Sequence, residues 1–241
     1  MLPYPDDQPR LNVALHPYDL SGRATSENAP HWHAPAARKA AVNSGVICFT
    51  KGTEIATPDG DVPIEHLRVG AQVLTCDNGP KPIKWIGMRR LGQRAMTRRA
   101  HLKPIVISPR LLGTAHPLLV SPEHSILLDL EGQDCFVRAK HLAQLPGGQA
   151  RIAQGVREVV YFHLLLERHQ AVFANGALTD SFYPTPQAMK ALKPKALQAI
   201  DRLVPDLECY GLRRAYGSPA RRYLPRKAMP ETISAFLQVK H

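Results

Sequence analysis

The sequence changes character at a single cysteine. Before Cys48 the chain is polar, irregular and rich in proline, whereas after it the residues alternate as in compact β structure. A thiol at such a boundary can attack the carbonyl carbon of the preceding residue and convert the Ile47–Cys48 amide into a thioester. Because this N-to-S acyl shift normally lies uphill, the protein must distort the amide, protonate the departing nitrogen and stabilise the oxyanion. The alternative is a buried cysteine with a purely structural role.

Three short blocks of sequence follow in order from Cys48 to Gly176. The first runs from Cys48 to Ile55 and continues in residues 62–67 (VPIEHL) and 69–75 (VGAQVLT). The second is 118–124 (LLVSPEH), and the third is 161–164 (YFHL) followed by 169–176 (HQAVFANG). Together they resemble the blocks of Hedgehog/intein (Hint) domains, and in particular the bacterial Hint-like domains that lack a splicing C-terminus.

The resemblance assigns roles to two residues of the second block. Ser121 and His124 match the Thr-x-x-His pattern of the family, with Ser in place of Thr. His124 would protonate the departing nitrogen, since an imidazole suits proton transfer near neutral pH. Ser121 would orient that ring or hydrogen-bond the distorted amide, although the loss of the Thr methyl group predicts a looser site. The alternative for His124 is an ordinary histidine at a strand end.

Two further histidines lie in the third block. His163 falls where many Hint proteins carry a polar residue that serves the first step, and it interrupts an otherwise apolar strand. It either faces the reactive bond or is a satisfied core residue. His169 resembles the histidine that opens the last block, which in inteins assists cleavage at the C-terminal junction. We therefore include both, with Cys48, Ser121 and His124, among the candidate catalytic residues.

The C-terminal splicing residues of an intein have no counterpart in this chain. Asn175-Gly176 is followed by Ala-Leu-Thr-Asp180-Ser181, so no His-Asn pair stands where inteins end. An Asp carboxylate cannot carry out the cyclisation of an Asn amide. Full splicing is therefore not expected, and the N-terminal half-reaction remains. Hedgehog proteins pass such a thioester to a sterol, but residues 185–241 show no sterol-binding signature.

These residues predict a self-processing domain. Because such a domain acts only once per chain, it is an enzyme only in a loose sense. Its substrate would be its own N-terminal segment, and water or a small nucleophile would accept the acyl group. The competing hypothesis is a catalytically silent Hint scaffold that serves as a binding or structural module.

Short strands separated by turns dominate the middle of the chain and predict an all-β fold, of the horseshoe or sandwich type that the resemblance implies. Turn signals include Pro-Asp-Gly at 58–60 and Asn-Gly at 175–176. The predicted strands are Val46–Thr50, Glu54–Thr57, Gln72–Cys76, Lys81–Leu91, Leu102–Ile107, Leu118–Val120, Ser125–Leu128, Phe136–Ala139, Val156–Glu167 and Gln170–Ala174.

The two ends of the chain differ from this middle part. We divide the sequence into an irregular leader (1–47) with a short helix over Ala36–Val42, a Hint-like domain (48–184) and a small helical appendage (185–241). Ala188–Val204 has helical periodicity interrupted by Pro194, and Glu231–Val239 predicts a last helix. The appendage carries 11 basic and 4 acidic side chains. Without a nucleic-acid-binding motif this charge predicts a solvated face, and nucleic-acid binding is a weaker alternative.

Composition and cysteine spacing limit the bound groups and cellular compartments that remain possible. The four cysteines show no paired spacing, which disfavours a disulfide framework or a zinc site and favours a reducing compartment. His31 and His33 could chelate a metal, but such pairs in polar segments are usually incidental, so we expect neither metal nor cofactor. No transmembrane helix or signal peptide is recognisable, which predicts a cytoplasmic protein or one exported without a classical signal.

Overall fold

Two β-sheets, antiparallel except for the pairing of their last strand, form most of the structure. The computed structural model describes residues 47–130 and 132–228. The strands in chain order are β1 (Phe49–Thr50), β2 (Glu54–Thr57), β3 (Gly60–Pro63), β4 (Gln72–Thr75), β5 (Gly79–Pro82), β6 (Trp85–Leu91), β7 (Ile105–Ile107), β8 (Leu118–Val120), β9 (Ser125–Leu130), β10 (Gln133–Arg138), β11 (Ala150–Ile152), β12 (Val159–Leu165), β13 (Ala171–Ala174), β14 (Ala177–Asp180) and β15 (Arg222–Tyr223). The predicted all-β fold is therefore confirmed.

The first sheet places the start of the domain at its centre. Its strand order is β11-β7-β8-β1-β12-β6, so the two-residue strand β1 lies between β8 and β12. Phe49 pairs with Val120 on one side and with Phe162 on the other. Because these partners precede Ser121 and His163 by one residue each, the pairing brings both polar residues next to Cys48.

The second sheet holds the last block of the Hint-like sequence. Its order is β15-β10-β9-β14-β13-β2-β3; β4 joins it by pairing with β13, and β5 pairs with β4. A tight turn connects β13 to β14, with positive φ angles of 47° at Asn175 and 79° at Gly176. This is the turn that an Asn-Gly pair predicts. It leads directly into β14, whose four residues are all buried.

The segment after the Hint-like domain packs onto the β structure. The α-helices are α1 (Gln93–Arg98), α2 (Pro109–Leu112), α3 (Ala139–Leu142), α4 (Pro186–Lys190), α5 (Pro194–Leu203), α6 (Leu207–Tyr210) and α7 (Leu212–Ala215). Ile200, Val204 and Tyr216 are buried in the same apolar cluster as Cys48. Beyond the helices, β15 extends the second sheet by pairing in parallel with β10. The appendage is thus joined to the domain through both a core and a sheet, and its boundaries stay a prediction.

Two predicted elements differ from the observed ones for identifiable reasons. The predicted strand Lys81–Leu91 is two strands, β5 and β6, which belong to different sheets. Pro82 has no N–H to donate, so it ends β5, and Ile83 and Lys84 cross to the first sheet. Pro194 does not interrupt a helix but begins α5, because the first turn of a helix needs no N–H donor there.

Other differences concern short elements and the ends of the chain. Strands β3, β11, β14 and β15 were not predicted, since two to four residues give little periodicity. The predicted helices Ala36–Val42 and Glu231–Val239 lie outside the described residues. Within the described residues, no helix is long and apolar enough to cross a membrane.

Candidate functional site

The peptide group between Ile47 and Cys48 lies against the second block. The backbone N–H of Cys48 donates a hydrogen bond to Oγ of Ser121 at 2.9 Å. In return, the backbone N–H of Ser121 donates to the carbonyl oxygen of Cys48 at 3.0 Å. Ser121 directly follows β8, so its backbone and side chain both fix the residue before β1. The nitrogen that would leave in an acyl shift is therefore held by a hydroxyl group.

One imidazole contacts both reacting groups of the candidate acyl shift. Nδ1 of His163 lies 2.7 Å from the carbonyl oxygen of Ile47, and Nε2 lies 3.9 Å from Sγ of Cys48. A carbonyl oxygen can only accept, so Nδ1 must carry the hydrogen and donate it. In the neutral ring Nε2 is then an acceptor that faces the thiol. His163 can thus polarise the carbonyl group and receive the thiol proton at the same time.

Burial keeps the thiol and the imidazole neutral. It raises the pKa of the Cys48 thiol well above its ordinary value, an effect that Ser121 and the Arg89 guanidinium oppose. Burial lowers the pKa of His163 to about 4, against the effect of its bond to Ile47. Near neutral pH the pair therefore consists of a thiol and a free base, which is the protonation state from which a proton can pass from sulfur to nitrogen.

Strand β6 shapes the other face of the His163 ring. The indole of Trp85 is parallel to the imidazole, with an interplanar angle of 2° and a centroid distance of 6.0 Å. Gly87 pairs with His163 across the sheet, and a Cβ atom there would collide first with the Trp85 indole and would also lie 2.8 Å from Cδ2 of the imidazole. Glycine is therefore required for this approach. Neither Trp85 nor Gly87 was among the candidate residues of the sequence analysis.

His124 is buried near this centre but contacts a different set of groups. Its ring packs edge-on against Phe49 at a centroid distance of 4.4 Å, and its Nε2 lies 3.7 Å from Oδ1 of Asp180. Neither ring nitrogen has a hydrogen-bond partner among the described residues. Burial lowers the pKa of His124 to about 3, and the charged forms of His163 and His169 would lower it further. The three histidines therefore lie within electrostatic reach of one another.

Asp180 is a buried carboxyl group that the sequence analysis did not include among the candidates. It ends β14 and accepts hydrogen bonds from the backbone N–H of Ser125 at 2.8 Å and from the hydroxyl of Tyr223 at 3.1 Å. Burial raises its pKa to about 7. The sequence did contain a signal, because Asp180 stands where the His-Asn pair of an intein was sought. Its partner Tyr223 is distant in sequence, and no sequence pattern pointed to it.

His169 is connected to Asp180 through the hydroxyl of Tyr223. The backbone N–H of Ala220 donates to its Nδ1 at 3.0 Å, so the neutral ring carries its hydrogen on Nε2. Nε2 lies 3.4 Å from the hydroxyl oxygen of Tyr223, which itself donates to Asp180. His169 thus belongs to a buried chain that runs through Tyr223 to Asp180. The structure brings Cys48, Ser121 and His163 together and places His169 in this second group.

Acid should destabilise the fold through these buried histidines. Burial lowers the pKa of His124 and His169 to about 3 and that of His163 to about 4, from an ordinary value of 6.5. Between about pH 4 and 6.5 the unfolded chain therefore binds protons that the folded protein does not, and the free energy of unfolding falls as the pH drops. Asp180 acts in the opposite direction, because its pKa of about 7 keeps a proton on the folded protein.

The three histidines less Asp180 give a net difference of two protons, which corresponds to roughly 3 kcal/mol per pH unit at most. His141, whose pKa burial lowers to about 4, acts in the same direction as these histidines. Urea unfolding at pH 6.5, 5.5 and 4.5 measures it, and the midpoint should fall steadily. Asp180→Asn removes the opposing group, so its midpoint should fall more steeply with acid than that of the parent. A midpoint that stays constant or rises on acidification would contradict this prediction.

No metal centre is formed by the described residues, where no group of three or more His, Cys, Asp or Glu side chains is close enough to hold an ion. His31 and His33 lie outside the described residues. The four cysteines, Cys48, Cys76, Cys135 and Cys209, are not joined in disulfides.

A family model described as "Hint domain" matches residues 47–186, which is more than half of the chain, and the chain therefore belongs to the Hint domain family. Membership supports a self-processing domain of the bacterial intein-like kind in general terms.

Solved structures of inteins show similarity at low sequence identity. The bacterial intein-like domain from Clostridium thermocellum is 16% identical, with a TM-score of 0.38, and the match covers 56% of this chain and 97% of that chain. The gp41-1 intein is 17% identical, with a TM-score of 0.36, and the match covers 56% and 97% of the two chains. For the MchDnaB-1 intein the identity is 13%, the TM-score 0.36 and the coverage 55% and 98%. No curated protein matches the chain.

Proposed function

We propose that this domain cleaves its own chain between Ile47 and Cys48 through an N-to-S acyl shift. The observation that supports this most is the His163 ring, whose two nitrogens contact the Ile47 carbonyl oxygen and the Cys48 sulfur. An acyl shift needs a base for the thiol and a donor for the developing oxyanion. A single neutral imidazole with hydrogen on Nδ1 supplies both.

The proton can be followed through the proposed reaction. Nε2 of His163 takes the thiol proton as Sγ of Cys48 forms a bond to the Ile47 carbonyl carbon. Nδ1–H stabilises the negative charge that develops on the carbonyl oxygen. The C–N bond then breaks, and the nitrogen of Cys48 receives the proton that Nε2 holds. The product is a thioester between Ile47 and Cys48 with a free α-amino group.

Ser121 and His124 have supporting parts in this scheme. The Ser121 hydroxyl accepts the N–H of the scissile amide, so it fixes the plane of the peptide group before sulfur attacks. Proton donation to the departing nitrogen by His124 in place of His163 is the alternative that the sequence suggested, and it stays a prediction. Asp180, with its pKa of about 7 and its oxygen 3.7 Å from Nε2 of His124, is a group that could exchange a proton with that ring.

The thioester would be resolved by water or another nucleophile and not by splicing. No His-Asn pair stands where inteins end, so the C-terminal half of splicing has no residue to perform it. The catalytic role of His169, which depends on the C-terminal step in inteins, stays a prediction for this chain.

The direct test is incubation of the purified chain with hydroxylamine or dithiothreitol, followed by mass spectrometry of the intact protein. Both reagents attack thioesters, so the parent protein should lose residues 1–47 and leave a chain that begins at Cys48. Edman degradation or a peptide map then identifies the new N-terminus. Cleavage at any other bond would contradict the proposal.

Removing the Ser121 hydroxyl should slow cleavage without unfolding the protein. Ser121→Ala deletes the acceptor for the Cys48 N–H, and loss of one such hydrogen bond corresponds to about 1 kcal/mol, or roughly a fivefold to tenfold lower rate. Ser108→Ala is a matched control, because Oγ of Ser108 also accepts a backbone N–H, that of Leu111, but at the start of α2. The control should cleave at the parent rate. Equal rates for Ser121→Ala and the parent would remove Ser121 from the mechanism.

A silent Hint scaffold remains the second candidate function, and one observation favours it. The Cys48 side chain is only 4% exposed, and its raised pKa disfavours the thiolate that attacks carbonyl groups. This candidate predicts that the full-length chain stays intact with hydroxylamine at every pH at which it is folded.

A further inference from the structure

A cavity of about 560 Å³ lies between β6 and α5 and borders the reactive centre. His163, the ring that contacts both Ile47 and Cys48, forms part of its wall. Trp85 lies beside it, and small residues of α5, Ala196 and Ala199, form the facing wall. A volume in this range is typical of sites that hold a small molecule. The cavity therefore adjoins the imidazole that contacts both atoms of the proposed thioester.

The charged side chains that line this cavity are positively charged. Four of the residues that line it are basic, namely Arg89 on β6 and Lys193, Lys195 and Arg202 on or beside α5. Among the described residues that line it, none is Asp or Glu. A partly enclosed site lined by one sign of charge raises the local concentration of ions of the opposite sign. The cavity is thus suited to an anion and unsuited to a cation.

We propose that this cavity is the acceptor site of the cleavage reaction and that the acceptor is a small anionic nucleophile, a thiol or amine that also carries a carboxylate, sulfonate or phosphate group. This inference rests on the proposed function and names the substrate class of the same site. The basic side chains hold the anionic group, and the Trp85 and His163 wall positions the nucleophilic atom near the thioester carbonyl.

The transfer step balances without a further reagent. The thiolate of the acceptor attacks the Ile47 carbonyl carbon of the thioester, a new C–S bond forms and the bond to Sγ of Cys48 breaks. The Cys48 thiolate leaves and takes up the proton that the acceptor thiol lost. The products are residues 1–47 as a thioester of the acceptor and a chain that begins with Cys48. An amine acceptor gives an amide in the same way.

Three simple thiols test the proposal on the full-length protein. They are 2-mercaptoethanesulfonate, 2-mercaptoethanol and cysteamine, which are anionic, neutral and cationic at the end remote from sulfur. Cleavage rates are measured by mass spectrometry and divided by the thiolate concentration of each reagent. The anionic thiol should react about tenfold faster than the neutral one, and the cationic thiol should be the slowest. Residues 1–47 should carry the added mass of the thiol.

Charge-removing variants separate the cavity from the overall basic charge of the protein. The triple variant Lys193→Gln, Lys195→Gln, Arg202→Gln should bring the ratio of anionic to neutral rates close to one. The matched control Arg94→Gln, Arg98→Gln, Arg151→Gln removes the same charge at exposed positions outside the cavity and should keep the parent ratio. Arg89 is left unchanged because its guanidinium affects the Cys48 thiol.

Each outcome decides a different question. Equal rates for the three thiols in the parent would overturn the acceptor proposal and leave the cleavage proposal standing. A control variant that loses the preference as fully as the cavity variant would assign it to net charge and would also overturn the acceptor site. If none of the thiols cleaves a folded parent protein, the proposed function fails and the acceptor proposal fails with it.

Discussion

Cys48→Ala is expected to abolish cleavage completely, so that the variant keeps its full mass under conditions in which the parent loses residues 1–47. Alanine has no nucleophile, and no thioester can form at the Ile47–Cys48 bond. The side chain is buried in an apolar cluster and is small, so its replacement removes little packing volume. The measurement is intact mass after incubation with hydroxylamine, with circular dichroism to establish that the variant is folded.

Cys76→Ala is the matched control for this experiment. Cys76 is also a buried free thiol, and burial raises its pKa to about 12. Cys48 differs from it by the imidazole of His163, which lies 3.9 Å from the sulfur. The Cys76 variant should therefore be cleaved at the parent rate. Cleavage of the Cys48→Ala chain at the same bond would show that another group is the nucleophile.

His163→Ala is expected to slow cleavage by about two to three orders of magnitude, the effect typical of losing an oxyanion donor. The ring also serves as the base for the thiol, so the loss should lie at the upper end of this range. At fixed pH, the first-order rate constant with saturating hydroxylamine measures it. Because an alanine leaves a void beside Trp85, the free energy of unfolding is measured in parallel.

Two conservative variants separate the functions of the two ring nitrogens. In His163→Asn the side-chain amide can reproduce the donor at Nδ1 toward Ile47 but leaves nothing near the Cys48 sulfur. In His163→Gln the amide reaches toward the Nε2 position and gives up the bond to Ile47. The Asn variant should retain more activity if oxyanion stabilisation is the larger effect.

His141→Asn is the control for the loss of a buried imidazole, because His141 lies on α3, away from Ile47 and Cys48. It should cleave at the parent rate. If His163→Ala also cleaves at the parent rate while folded, His163 is a core residue and the proposed mechanism is wrong.

The residues around the scissile bond could be predicted from the sequence because they lie within short, recognisable blocks. Cys48, Ser121 and His163 each sit at a defined point of a block, and the pairing of β1 with β8 and β12 then brings them together. The all-β fold was predicted from turn signals such as Asn175-Gly176, and both of these residues have positive φ angles in the structure. Their chemical roles still depend on the experiments above.

The parts that the sequence did not predict depend on contacts between distant segments. Asp180 is recognisable as unusual only when Ser125 and Tyr223 are seen to donate to it. The stacking of Trp85 on His163 requires the register of β6 against β12, which no local pattern specifies. His169 was assigned by resemblance to the last block, and its position beside Tyr223 depends on the short strand β15.

Strand β15 affects where the smallest independently folding part of the chain ends. The family match stops at residue 186, yet Tyr223 reaches back to Asp180, and Ile200 and Tyr216 share the apolar cluster of Cys48. A fragment that ends at residue 186 would lack Ile200, Tyr216 and Tyr223. We expect it to leave the Cys48 sulfur exposed to water and the Asp180 carboxyl group without its hydrogen bond from Tyr223. We therefore expect the smallest autonomous unit of this protein to be larger than its family signature and to extend at least to Tyr223.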